Sequence, residues 1–174
     1  MSFITRIFGD RRERDRLAPL YGAIVAAARD PRWYREGQVP DTIDGRFDMV
    51  AAVLALVLIR LEREGDRCRD DSVLLTETFV ADMDGTLRQI GIGDFVVGKH
   101  VGRMMGALGG RLSAFRDGGA DEGALEGAVG RNIFRESPPS PEALRTVSVR
   151  LRQFQVALDA LPADRIVAGQ LPTP

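Results

Sequence analysis

The chain has 174 residues, of which 44% are hydrophobic and 28% charged, with a formal net charge of −1. This length suits one domain that buries a core without disulfides or metals, and the composition excludes wholesale disorder. Near-neutrality excludes broad nucleic-acid binding, which needs a surplus of Lys and Arg, and the lone Cys68 excludes an intramolecular disulfide and fits a reducing compartment.

Residues 1–15 form an amphipathic head. Phe3, Ile4, Ile7 and Phe8 recur at helical spacing beside Arg6, and Arg11, Arg12 and Arg14 follow. Apolar residues next to arginines suit contact with an anionic membrane surface, the alternative being a frayed tail packed on the domain. The apolar run is too short for a signal peptide and lacks a small-residue cleavage site, so the chain is expected to stay where it is made.

A helical domain over 16–168 follows. Leu17, Leu20, Tyr21, Ile24 and Val25 predict a helix over 16–29 that stops at Asp30-Pro31. Trp33 and Tyr34 fall in a turn, and Val39-Pro40-Asp41-Thr42 is an extended corner. Asp41, Thr42 and Asp44 are each suitable caps for the next helix. That helix, over 44–64, is apolar nearly all round and is therefore the central one, with Phe47, Val50, Leu54, Val57, Leu58 and Leu61 on one face. Gly65 closes it. A helix over 70–90 follows, with acidic Asp70, Asp71, Glu77, Asp82 and Asp84 against Arg88. Gly91 is its stop, and Asp94 is the cap of a basic helix over 94–116 that carries Lys99, Arg103, Arg111 and Arg116. Opposite charge and a short turn predict that the two pair antiparallel.

A shorter helix covers 121–135, Ser137 to Pro141 is a proline-rich linker, and a last helix runs from Pro141 to Leu161. Residues 169–174 are a tail expected to fray. No segment alternates with period two, so no sheet is expected. The fold class is all-α, a single-domain bundle of about six helices around a central buried one. The longest apolar run, Met49 to Ile59, is well short of the roughly 20 residues a spanning helix needs.

The parts of known catalytic sites are missing. His100 is the only histidine, so a site with two histidine ligands cannot form. There is no Gly-x-Ser-x-Gly elbow and no phosphate loop, since no hydroxyl residue follows Gly98-Lys99. Asp82 and Asp84 lie about 200° apart on a helix and cannot share a metal there, while Asp84 and Arg88 have ion-pair spacing. No metal and no cofactor are expected. Gly98, Gly102, Gly106 and Gly110 recur every four residues on the basic helix. Four interior glycines cost about 3–4 kcal/mol relative to alanine. Close packing within the bundle is one reading of the strip, and a groove for a partner's helix is the other.

Several segments then resemble a known family. Val39-Pro-Asp-Thr-Ile-Asp-Gly-Arg-Phe-Asp-Met49, Phe79-Val-Ala-Asp-Met-Asp84, Leu87-Arg-Gln-Ile-Gly-Ile-Gly-Asp94, Lys99 and Gly110-Arg111 are similar to signatures of the ubiquinol–cytochrome c chaperone family, as is Leu20-Tyr-Gly-Ala-Ile-Val25. The similarity spans residues 17–135. It implies a non-enzymatic, helical assembly factor of the cytochrome bc1 complex. The implied partner is cytochrome b or another unassembled subunit, and the inner-membrane surface and the ribosome are further partners that the resemblance allows. No targeting extension is evident, so the chain resembles a bacterial member working in the cytoplasm, peripheral at the inner membrane.

The expected client-binding residues are Lys99, Gly102, Arg103, Gly106, Gly110 and Arg111. Interaction residues from the motifs are Pro40, Asp41, Thr42, Gly45, Arg46, Phe47, Asp82, Asp84, Arg88 and Asp94. Membrane contact falls to Phe3, Ile4, Ile7 and Phe8. A helical protein binding a small molecule, haem or quinone, is the alternative, with His100 as the one available imidazole. An enzyme using Asp82, Asp94 and Lys99 is the weakest reading.

Overall fold

The computed structural model describes residues 11–89, 94–118, 121–135 and 137–174. Among them there are helices and turns and no strand, so the architecture is all-α. The elements are α1 (Arg11–Ala28), α2 (Pro31–Arg35), α3 (Ile43–Glu62), a 3-10 turn (Gly65–Cys68), α4 (Arg69–Gln89), α5 (Asp94–Gly118), α6 (Glu122–Val129) with a π-helical turn (Gly130–Phe134), α7 (Pro141–Asp159) and α8 (Ala163–Val167).

The central position of α3 follows from its sequence. Every residue from Phe47 to Leu61 is buried, and α1, α4, α5 and α7 all pack against it. Two of its buried residues are charged, Asp48 and Arg60. Arg60 caps the end of α7, with Nε donating to the Leu158 carbonyl at 3.3 Å and Nη2 to the Leu161 carbonyl at 2.9 Å. The carbonyls at a helix end otherwise lack partners, and a cation is favoured there.

The entry to α3 is tightly built. Of the three residues suited to cap it, Thr42 does so, its Oγ1 accepting from the Gly45 amide at 3.1 Å. Asp41 instead pairs with Arg46 at 2.6 Å. A Cβ on Gly45 would lie 1.9 Å from the Pro40 carbonyl oxygen, so only glycine allows the corner to close this tightly.

Three expectations are corrected. The first helix starts at Arg11, so residues 11–15 belong to α1 and not to the head; Leu17, Leu20 and Ile24, fully buried, hold it in the core across an internal Pro19. Trp33 and Tyr34 are not in a turn. They lie on the short helix α2, which Asp30 caps and Pro31 opens. The Trp33 indole donates to the Ala27 carbonyl at 2.9 Å and the Tyr34 hydroxyl to the Ala28 carbonyl at 3.0 Å, which satisfies the last turn of α1. Finally, the C-terminal residues return to the bundle. Ala163 and Ile166 of α8 are buried, Leu171 packs against the core, and Gly169 (φ 83°) sits against Pro19.

The acidic and basic helices α4 and α5 pack on one another as expected. Polar contacts of α4 also reach α1. Arg16 pairs with Asp71 at 2.6 Å, and the Tyr21 hydroxyl donates to Asp82 at 2.7 Å. Burial and the Asp82 carboxylate raise the Tyr21 phenol above its ordinary pKa. No helix among the described residues is long and apolar enough to cross a membrane.

Candidate functional site

Most of the residues assigned to client and motif contacts fall in two places. The first is the outer face of α5. Leu108 and Phe115 point into the core, and Met104 and Leu112 pack on its edge. Gly98, Lys99, Gly102, Arg103, Gly106 and Gly110 are exposed. A Cβ added at any of these four glycines would meet nothing within 4 Å. Among the described residues, nothing packs onto the strip.

Arg111 corrects the expectation for that face. Expected among the client-binding residues, it is 1% exposed and points inward. Its Nη2 donates to Asp48 and, at 2.6 Å, to the Asn132 carbonyl. Its guanidinium lies 5.8 Å from the centroid of Phe47, which stacks on Phe79. Arg111 Nε and Nη1 are buried without a hydrogen-bond partner among the described residues. Arg111 acts inside the fold, not on a client surface.

The second place is a cleft of about 350 Å³ at the entry of α3, lined by Pro40, Thr42, Asp44, Gly45, Asp48, Ile133, Phe134, Arg135 and Ser137. Three of the expected motif residues, Pro40, Thr42 and Gly45, form one wall. Phe47 is buried beneath, while Asp41 and Arg46 pair on the outside. The side-chain hydrogen bond from Arg46 holds the Asp41 carboxyl below the usual carboxylate range.

Asp48 forms the floor. Its side chain is 2% exposed, and its Oδ1 accepts from both Arg111 and Arg135, the latter at 2.5 Å. Burial pushes the Asp48 carboxyl above the ordinary range, and the charges of Arg111 and Arg135 pull it back down. Burial likewise lowers the Arg111 guanidinium, and Asp48 opposes that shift. A buried carboxylate costs several kcal/mol unless paired and hydrogen-bonded, so the two guanidiniums are what make this position tenable.

The two cations are held differently. Arg111 is enclosed, whereas the Arg135 side chain is 46% exposed. Arg135 follows the π-helical turn with φ 43° and ψ −106°, a left-handed conformation that a non-glycine residue rarely adopts, and its N–H donates to the Gly130 carbonyl at 3.1 Å. Asp48 and Arg135 were not among the expected site residues. The signal for Asp48 was present, as the one acid in an otherwise apolar helix core. Nothing in the spacing pointed to Arg135.

The remaining motif acids lie elsewhere. Asp82 is tied to Tyr21, and Asp84 pairs with Arg88 at 2.7 Å. Neither joins the cleft. The side chains of Asp94 and His100, and the whole of Phe3, Ile4, Ile7 and Phe8, lie outside the described residues.

With this geometry in place, comparison with known proteins is informative. A family model described as ubiquinol-cytochrome C chaperone matches residues 35–173, a span that takes in α7 and α8 beyond the motifs of the sequence. No curated protein matches the sequence. Among solved structures, the crystal structure of the Cbp3 homolog from Brucella abortus is similar over 99% of this chain and 97% of that one, with 28% sequence identity and a TM-score of 0.81.

Proposed function

The chain belongs to the ubiquinol–cytochrome c chaperone family, and from that premise we propose that it is a non-enzymatic assembly factor that holds unassembled cytochrome b against the outer face of α5. The observation that carries the reading is the exposed strip of Gly98, Gly102, Gly106 and Gly110 with open space above each. Glycines in a helix interior are costly, and among the described residues no contact offsets them. A flat strip lets another helix approach closely, as small residues do between membrane helices. Lys99 and Arg103 rim it, which suits a client segment with acidic groups or free carbonyls at its end.

The head residues Phe3, Ile4, Ile7 and Phe8 with Arg6 add weak attachment to the inner-membrane surface, where such a client is inserted. The small-molecule reading gains no support from the cavity between α3, α5 and α7. It has a volume of about 510 Å³, and Glu62, Arg63, Arg116, Arg152 and Asp159 in its lining make it poor company for an apolar quinone or porphyrin.

The test is a pull-down from a membrane-containing lysate with cytochrome b as the readout. The expected outcome is recovery of cytochrome b by the wild-type chain and its loss with Gly102→Leu or Gly106→Leu, both variants keeping the wild-type circular dichroism. Undiminished capture by folded leucine variants would move the client surface off α5, and absence of cytochrome b from the wild-type capture would refute the client.

A further inference from the structure

The cleft at the entry of α3 is built around a charge arrangement that the assembly role does not require. Asp48 lies at its floor and receives one guanidinium from the enclosed side, Arg111, and one from the open side, Arg135. Of the charged residues lining the cleft, among the described residues, Asp44 and Asp48 are acids and Arg135 is the cation. Arg135 holds its place from a half-exposed position and a strained backbone (φ 43°). Strain of that kind persists only where surrounding contacts over-determine it, and here the Arg135 N–H is held by the Gly130 carbonyl and its guanidinium by Asp48.

We propose that the cleft is a binding site for the basic side chain of a partner segment, an arginine head group that takes the place of Arg135 on Asp48. Arg135 is then an internal stand-in for the ligand. When its guanidinium swings out, the strained residue relaxes and the cleft presents Asp48 and Asp44 to the incoming cation, with Thr42 and Ser137 beside them. Arg111 stays in place, held by the Asn132 carbonyl and Asp48, and keeps the buried charge balanced throughout. An arginine fits better than a lysine because a guanidinium, which Arg135 places on Asp48 Oδ1 through Nη2, is more weakly hydrated than an ammonium and suits a buried ion pair. The inference concerns the chemistry of a partner and stands whether or not cytochrome b is the client.

The test uses the full chain and acetyl-arginine amide as the probe, with binding measured by calorimetry and folding by circular dichroism. Arg135→Gly removes the stand-in, and glycine tolerates the local backbone. If Arg135 fills the site at least nine-tenths of the time, its removal strengthens probe binding about tenfold or more. Asp48→Asn in the Arg135→Gly chain abolishes binding, and the neutral acetyl-glutamine amide does not bind. Equal affinity in wild type and Arg135→Gly, or equal binding of the neutral probe, overturns the proposal. If Arg135→Gly alone unfolds the chain, acetyl-arginine amide restores its helical signal in a saturable way; failure to do so also overturns it.

Discussion

At the scale of single residues, the corner before α3 separates roles that look alike in sequence. Asp41 and Thr42 are neighbours of similar capping ability, yet only Thr42 accepts the Gly45 amide, and Asp41 reaches Arg46 on the surface. Loss of a cap costs about 0.5–2 kcal/mol. Thr42→Ala should therefore lower the unfolding free energy by that amount and bring the melting midpoint down, and Asp41→Ala should leave both nearly unchanged, in parallel thermal unfolding by circular dichroism. The reverse order would show that Asp41 carries the corner. Arg111 teaches the same lesson in the opposite direction. On a helix with Lys99, Arg103 and Arg116 it looks like one more surface cation, and its burial depends on Asp48, a partner far away in sequence. Local periodicity carries no information about such a pair.

At the scale of elements, the long helices were legible because each buries a stripe that repeats every three or four residues, as Leu108, Leu112 and Phe115 do on α5 and Val147, Leu151, Phe154 and Leu158 do on α7. The short ones were not. A five-residue helix such as α2 or α8 completes little more than one turn, too few residues for a period to show. The π-helical turn at 130–134 was equally hidden, since its residues suit an ordinary helix, and Arg135, which follows it, bonds Asp48 from a distant part of the sequence. The candidate site was legible on the α5 face and at the Pro40–Gly45 corner, and illegible where it depends on Asp48 and Arg135 meeting across the fold. For α5 itself, the open space over the glycines has an energetic consequence. Alanine at an exposed interior position is favoured over glycine by about 0.8–1 kcal/mol, so Gly102→Ala and Gly106→Ala should each raise the unfolding free energy by about that much in denaturant titrations. A destabilised alanine variant would mean that something occupies the strip.

At the scale of the whole molecule, the helices close around α3 and the C-terminal residues return to α1 through Gly169 and Leu171. Residues 1–10 precede the described residues in sequence, and a chain starting at Arg11 keeps every described element. Deleting them should therefore leave the melting midpoint in place and reduce binding to anionic vesicles, the remaining binding weakening further as salt rises. Co-sedimentation with vesicles of anionic and of neutral lipid measures this, and equal pelleting of both chains would remove the membrane role of the head.

The burial of α3 also bears on how the chain survives its own synthesis. The helix leaves the ribosome well before α5 and α7, which cover it, so its apolar surface waits several seconds for partners at about 5–20 residues per second. During that interval it resembles the segments that membrane-insertion machinery is built to recognise. Asp48 and Arg60 bracket the uncharged stretch Met49–Ile59, which as a helix is about 16 Å long, roughly half of the 30 Å hydrocarbon layer. The two buried charges thus act as a ruler as well as a glue. They keep the most apolar part of the chain too short to be threaded across a bilayer.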